Sequence, residues 1–392
     1  MSARKETRSG IGSFSPHSYA IVANGFAEGP AQALRDYLLA RDAEVVTMFH
    51  PLTSEQGTQH EIAEYSHGRL LRRRTRQLLL RPPASFLLDP LVPILPPRVD
   101  VWFGFNPLAC ARGLVARRQG RARFVALWSV DFVPDRFGPG TMPTRVYDRL
   151  DRLSATRSDA RIELSEAARD GRNRRHGLEN ASDRTHVVPM GAWVDQVAAV
   201  PADGFARRRV VFLGHLVPRQ GLDLLLQTSL LLKERDLGIT VDVIGGGPAE
   251  AQLRKQAESL GVTQVIRFHG FVPDHREVER ILAEASLAVA PYRPGLGTFT
   301  TYADPGKLKA YVAAGLPIVL TDVPPNAESL AREAGAEVVA YDARAFADAI
   351  QRGLESPEAW RERRGAALAY AQRFDWNRLL ADLFRELGLG PQ

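Results

Sequence analysis

Residues 18–23, Ser-Tyr-Ala-Ile-Val-Ala, are a short apolar run that predicts a buried strand. A polar loop, Asn24-Gly-Phe-Ala-Glu-Gly29, follows, and Pro30 opens a helical pattern that lasts to Leu39. A second apolar run, 43–49, predicts the next strand. The same alternation continues with strand 100–105, helix 107–118, strand 123–130, a long helix around 144–157, and strands 160–164 and 186–189. It pauses near 198–208 and then restarts. Strands are predicted at 209–214, 239–244, 265–268, 287–290, 317–320 and 337–340. The helices between them are expected at 221–235, 248–260, 275–284, 305–314 and 325–334. Strands alternating with helices imply an α/β chain with parallel sheets covered on both faces. The expected organisation is a disordered tail at 1–16, Rossmann-like domains at 17–200 and 207–356, and amphipathic helices over 357–392 that return toward the first domain. Two doubly wound domains facing across a cleft are the expected fold.

Composition adds compartment and charge. The chain has 392 residues, enough for about two domains, and a soluble globular composition. One cysteine, Cys110, excludes an internal disulfide and a thiol metal cluster and is expected to pack as a small apolar residue. The polar start lacks the apolar core of a signal peptide, and no run of eighteen apolar residues exists, so a cytoplasmic location is expected. Residues 1–200 hold 28 Lys and Arg against 21 Asp and Glu, whereas the remainder is nearly balanced. Between Tyr65 and Leu88 stand Arg69, Arg72, Arg73, Arg74, Arg76 and Arg81 with no acid among them, interleaved with Leu70, Leu71, Leu78, Leu79 and Leu80. A solvated helix face, a nucleic-acid patch or a surface lying on anionic lipid all fit this segment. The absence of stacking aromatics among the arginines argues against single-stranded nucleic acid.

Several motifs are excluded. Gly245-Gly-Gly247 lacks the third glycine of a dinucleotide fingerprint, and Gly306-Lys307 lacks the earlier glycine of a P-loop. His60-Glu61 has no second histidine in zinc-protease register. No two aspartates are separated by one residue, and no nucleophile elbow is present. With no aspartate dyad and no His/Cys cluster, no metal or other cofactor is expected. The sharpest positive signal is Tyr302-Ala-Asp-Pro-Gly-Lys307. Asp304 is read as an N-cap, Pro305 as the first helical residue, and Gly306 as a place where a ligand can approach the backbone. Lys307 adds a full charge at the positive end of the helix, in a chain with only five lysines.

Four further segments lie just after predicted strands and therefore at one edge of the second sheet. They are Val211-Phe-Leu-Gly-His-Leu-Val-Pro-Arg-Gln-Gly221, Val243-Ile-Gly-Gly-Gly-Pro248, Arg267-Phe-His-Gly-Phe-Val-Pro273 and Ala288-Val-Ala-Pro-Tyr292. With the 304–307 helix start, their order and spacing resemble the nucleotide-sugar-binding lobe of GT-B glycosyltransferases of the family 4 type. The first-lobe glycine loop, Val187-Val-Pro-Met-Gly-Ala192 and Phe374-Asp-Trp376 also match family landmarks, so the resemblance covers roughly residues 17–390. It implies a metal-independent transferase moving a sugar from a nucleotide-diphosphate donor to a glycan, lipid-linked or small-molecule hydroxyl, with retention.

Carried onto this sequence, donor contacts fall at Gly25, Gly214, Arg219, Gln220, Gly245, Gly246, Gly247, Phe271, Val272, Tyr292, Asp304, Gly306 and Lys307. Asp131, His215 and Lys307 are the candidates for catalysis. Asn106 and Ser165 also follow strands, and Asp135 is expected to pair with Arg136. The family pattern is broken at four positions. Its usual diphosphate-binding Arg and Lys are His215 and Gln220 here, and its paired glutamates are Tyr302 and Ala310. A divergent enzyme, a non-catalytic partner that binds sugar nucleotides, and a nucleotide-sugar epimerase are the readings this leaves. The expected partners are the donor, the acceptor and a peripheral membrane contact through Arg69–Arg81, with no nucleic acid.

Overall fold

The structure, a computed structural model, describes residues 17–26, 29–52, 56–82, 84–87, 89, 98–179, 182–295 and 302–389. The expected tail at 1–16 and residues 90–97 lie outside them. The chain forms two compact units. The first comprises residues up to 130, 135–188 and the segment from 377, and the second comprises 131–134 and 189–376. The division therefore falls at Val188 and Pro189, ahead of the expected linker.

The first unit is built on an eight-stranded sheet ordered β4-β3-β2-β1-β5-β6-β7-β8. Strands β1 (Ser18–Asn24), β2 (Glu44–His50), β5 (Val99–Gly104), β6 (Ala122–Ser129), β7 (Ala160–Glu163) and β8 (Thr185–Val187) are parallel. Helices α1 (Pro30–Leu39), α2 (Pro107–Arg118), α3 (Met142–Arg157) and α4 (Glu166–His176) connect them. Helices α2 and α4 start where Asn106 and Ser165 accept the amides of Ala109 and Ala168, which accounts for both polar residues at strand ends. Apolar strand residues such as Val22, Val101, Val125 and Ile162 have essentially no exposed surface, as expected where helices cover both sheet faces.

Two strands and a helix were not anticipated. β3 (Gln59–Ser66) and β4 (Arg69–Gln77) form an antiparallel hairpin added to β2, and α4 fills the gap before β8. The arginine-rich segment is thus the edge strand of a sheet and not a helix face. Every residue of β4 is exposed. The hairpin turns at His67 and Gly68, both with positive φ, which is the two-residue geometry that matches strand twist. Cross-strand Glu61 and Glu64 lie 3.7 Å from Arg73 and Arg74.

The second unit has six parallel strands ordered β11-β10-β9-β12-β13-β14. These are β9 (Arg209–Leu213), β10 (Thr240–Ile244), β11 (Ile266–Gly270), β12 (Leu287–Ala290), β13 (Ile318–Thr321) and β14 (Glu337–Val339). Helices α5 (Leu222–Glu234), α6 (Glu250–Ser259), α7 (His275–Ala283), α8 (Gly306–Ala313), α9 (Ala327–Ala334) and α10 (Ala343–Gly353) complete the winding. The order reverses between β9 and β12, and ligands of such sheets sit at the strand ends beside that reversal. Helix α11 (Pro357–Ala371) stays with this unit: buried Trp360 donates its indole N–H to Ser286 O at 2.6 Å. Only the last helix, α12 (Trp376–Glu386), carries residues of the first unit, where Phe384 packs among Tyr19, Tyr37 and Phe103. The expected return to the first domain is made by this helix alone. Among the described residues no helix is long and apolar enough to cross a membrane.

Candidate functional site

The loops after β9 and β12 bracket the reversal of the second sheet, and Lys307 reaches into the space between them. Its ammonium donates to Gln220 Oε1 and lies 4.3 Å from the ring centroids of both Phe212 and Tyr292. Two aromatic faces attract a cation, yet neither supplies a counter-charge. Desolvation pushes the Lys307 ammonium well below its ordinary range, with no carboxylate acting against it. A partly buried cation without a paired anion is an unfavourable arrangement that an anionic ligand relieves.

Lys307 stands in the first turn of α8, where the Leu308 amide donates to the carbonyl of the cap residue Pro305 at 3.1 Å. That helix begins differently from expectation. Pro305 occupies the cap position, and no side chain caps the helix. Asp304 is engaged elsewhere: its carboxylate accepts the Met190 amide at 2.7 Å and the Lys309 ammonium at 2.8 Å. Lys309 is itself buried, 4.0 Å from the Phe374 ring centroid. Asp304 is therefore an internal anchor that fixes the start of α8. Gly306 faces Met190, whose Cγ would stand 3.2 Å from a Cβ there.

The glycine loops have the same kind of explanation. Gly245 has φ +134°, and a Cβ would overlap the carbonyl of Gly214. At Gly247 it would fall 2.6 Å from Leu216 O. The Gly214 amide donates to Ile244 O, that of Leu216 to Gly246 O, and that of Gly245 to Gly270 O. Three strand-end loops are thus laced together, and the glycines are required by that close approach. Gly246 borders Phe271, an exposed aromatic on the loop after β11, with half-buried Val272 beside it.

His215 is exposed on the β9 loop, so it is no core histidine. Arg219 stands on the same loop, and its charge acts on the Tyr292 phenol, which burial raises well above its usual range. Tyr292 itself is buried, and its carbonyl accepts the Thr321 hydroxyl at 2.8 Å. Lys307 therefore contacts both Gln220 and Tyr292, with Gly214 alongside. Phe212, Met190 and Lys309 were missed. Phe212 is an interior strand residue like many others, and Met190 and Lys309 act through contacts distant in sequence.

Gly25, Asp131, Asp135 and Cys110 have partners of their own. Gly25 has φ +107° and spends its amide on His50 O at 2.8 Å. Asp131 is half-buried after β6, in the short segment that groups with the second unit, and neighbouring Phe132 meets the Tyr302 ring edge-on at 5.1 Å. Asp135 pairs with Arg175 at 2.8 Å instead of with Arg136, whose guanidinium lies over Tyr147. Cys110 is fully buried in α2, and burial pushes its thiol up to about 12, so it is a packing residue.

Two doubly wound units of this kind occur together in the GT-B fold. HepE of Anabaena in complex with UDP superposes with a TM-score of 0.66 at 15% identity, covering 94% of this chain and 99% of that one. Sucrose-phosphate synthase of Thermosynechococcus elongatus gives 0.67 at 16% identity, covering 95% and 99%. The chain has the GT-B fold, and residues 207–356 match the model of the glycosyl transferases group 1 family. Curated relatives include D-inositol 3-phosphate glycosyltransferase of Streptomyces griseus, 30% identical over 178 residues, 43% of this chain and 36% of the relative. Phosphatidyl-myo-inositol mannosyltransferase of Mycobacterium leprae is 31% identical over 231 residues, 57% and 58% of the two chains. The chain thus spans about a third to three fifths of the length of these relatives.

Proposed function

We propose that the protein is a glycosyltransferase that takes a sugar from a nucleotide-diphosphate donor to an acceptor hydroxyl, with the donor diphosphate at Lys307. The observation that carries this reading is the Lys307 ammonium, desolvated beneath two aromatic rings with Gln220 as its hydrogen-bond partner. Its position at the reversal of strand order is where the sheet places ligands. The family match over residues 207–356, and relatives named as inositol phosphate and phosphatidylinositol glycosyltransferases, support the same reading.

In the proposed reaction the bond between the sugar anomeric carbon and the diphosphate oxygen breaks, and the nucleoside diphosphate leaves with the electron pair. A bond forms from the acceptor oxygen to the same carbon. Lys307, the first amides of α8 and exposed His215 stabilise the charge that builds on the leaving oxygen, without a divalent ion. The acceptor attacks from the face that the diphosphate leaves, which gives retention, and its proton passes to the departing phosphate, so no protein nucleophile is needed. Asp131 orients the acceptor, a hexose is the transferred group, and the basic first unit receives an inositol-type or lipid-linked acceptor at a membrane surface.

Mass-spectrometric detection of nucleotide release from a donor panel, with and without added magnesium or manganese, tests this. Acceptor-dependent release at equal rates in both conditions is expected. Tight donor binding without release under any condition identifies the non-catalytic binder instead, a reading favoured by Tyr302 and Ala310 standing at the family's glutamate positions.

A further inference from the structure

The first unit holds a cluster that the proposed transfer does not use. His50 closes β2 and His60 opens β3, so antiparallel pairing sets both at one edge of the sheet. Asp89 joins them from the stretch beyond β4. All three are buried, at 2%, 0% and 4% exposure. His50 Nδ1 and His60 Nδ1 stand 2.7 Å apart, and Asp89 Oδ1 lies 3.9 Å from the first and 3.7 Å from the second. A point equidistant from those three atoms is about 2.0 Å from each, the length of a zinc–nitrogen or zinc–oxygen bond.

Without an ion the cluster is poorly satisfied. The two imidazole nitrogens share one hydrogen bond, while Asp89 Oδ1 and His60 Nε2 are buried with no hydrogen-bond partner. Burial, more than any neighbour, pushes the Asp89 carboxyl up to about 6 and holds the His50 imidazole down at about 3. His60 is lowered for the same reason. The second carboxylate oxygen, Oδ2, accepts the Asn24 amide at 2.9 Å, and the Arg112 guanidinium donates to the Asp89 carbonyl at 3.0 Å. The Asn24 contact fixes the carboxylate direction, as outer partners of metal ligands do, and the Arg112 contact holds the Asp89 backbone. Arg112 also brings a positive charge that opposes a second cation, and the Asp89 carboxylate is the group that offsets it.

We propose that His50, His60 and Asp89 form a site for one divalent ion of the zinc class. Two imidazoles and one carboxylate suit late first-row metals and leave a fourth position open. The ion ties the stretch around Asp89 to the edge of the first sheet, directly beneath the Gly25 turn, whose amide donates to His50 O.

Tag-free full-length protein is stripped with chelator, exposed to zinc chloride, desalted and measured by plasma mass spectrometry. About one zinc per chain is expected in the native protein, with a rise in its thermal midpoint on zinc addition. The double variant His50→Ala/His60→Ala should retain at least tenfold less. Because that variant removes two core side chains, Asp89→Asn is measured beside it. It keeps the volume and should lose zinc retention while its circular dichroism stays native. Cobalt in place of zinc should give visible absorption bands in the native chain that Asp89→Asn lacks. Failure of the native protein to retain zinc, or equal retention by native protein and Asp89→Asn, overturns the proposal.

Discussion

At the scale of single residues, Lys307 sets binding and stability against each other. Its folded pKa lies below the unfolded value, so the buried charge opposes folding at every pH below the folded pKa. That penalty fades as pH rises through the folded pKa toward the ordinary 10.5. Lys307→Met keeps the chain length and removes the charge. It should not lower the neutral-pH thermal midpoint, yet it should weaken nucleoside diphosphate binding by about tenfold or more. A charge-assisted phosphate contact is worth roughly 1.5–3 kcal/mol. Titration calorimetry with UDP as the probe gives a second signature. Affinity in the native protein should fall as pH rises through the depressed lysine pKa, and the variant should show a flat profile over the same range. Native-like UDP affinity in Lys307→Met would place the anion site elsewhere. The sequence alone pointed to Lys307 and the strand-end glycines, because turn chemistry and charge are local. It misread Asp304 as a helix cap and did not show the lacing of the glycine loops, because the partners involved (Met190, Lys309, Gly214, Gly270) come together only through long-range packing.

At the scale of elements, α4 docks on the sheet through buried charge. Arg172 pairs with Asp151 of α3 and with Glu163 of β7, and His176 meets Asp151 at 2.8 Å. Burial alone would raise the Asp151 carboxyl, but Arg172 and His176 together hold it below its ordinary value. Asp151→Ala leaves Arg172 buried with one counter-charge fewer and should cost about 3–5 kcal/mol in urea unfolding. An effect below about 1 kcal/mol would show that water enters the network. The β3–β4 hairpin makes the opposite case, an element with almost no buried face. Its strand lacked the alternation of apolar and polar residues that marks a half-buried strand, since Leu70 and Leu71 are exposed alongside the arginines. Ser-His-Gly-Arg was the one local turn signal. The parallel strands were legible because each is a continuous apolar run. Arg69, Arg72 and Arg76 project from the edge strand, whereas Arg73 and Arg74 face Glu61 and Glu64. Sedimentation with anionic liposomes should therefore fall when Arg69, Arg72 and Arg76 are changed to Ser, and fall again with salt. Equal sedimentation of both proteins, or none of either, would remove the membrane contact.

At the scale of the whole molecule, the chain leaves its first unit at Val188, builds the second, and comes back with α12. Leu380, Leu383 and Phe384 are each no more than 1% exposed, so α12 is part of a core begun with residue 18. Phe384→Ala should cost about 3–5 kcal/mol, the usual loss for a buried phenylalanine. It should also lower the first transition in a denaturant curve that resolves the two units. Loss of the second transition alone would contradict the assignment of α12. The same discontinuity has a meaning on the ribosome. At roughly 5–20 residues per second, Tyr19, Tyr37 and Phe103 emerge and then wait roughly 14–70 s for Phe384 to be synthesised. During that interval an apolar seam on the nascent chain stays open, which makes the protein a natural client for chaperones that shield hydrophobic surface until the last helix closes it.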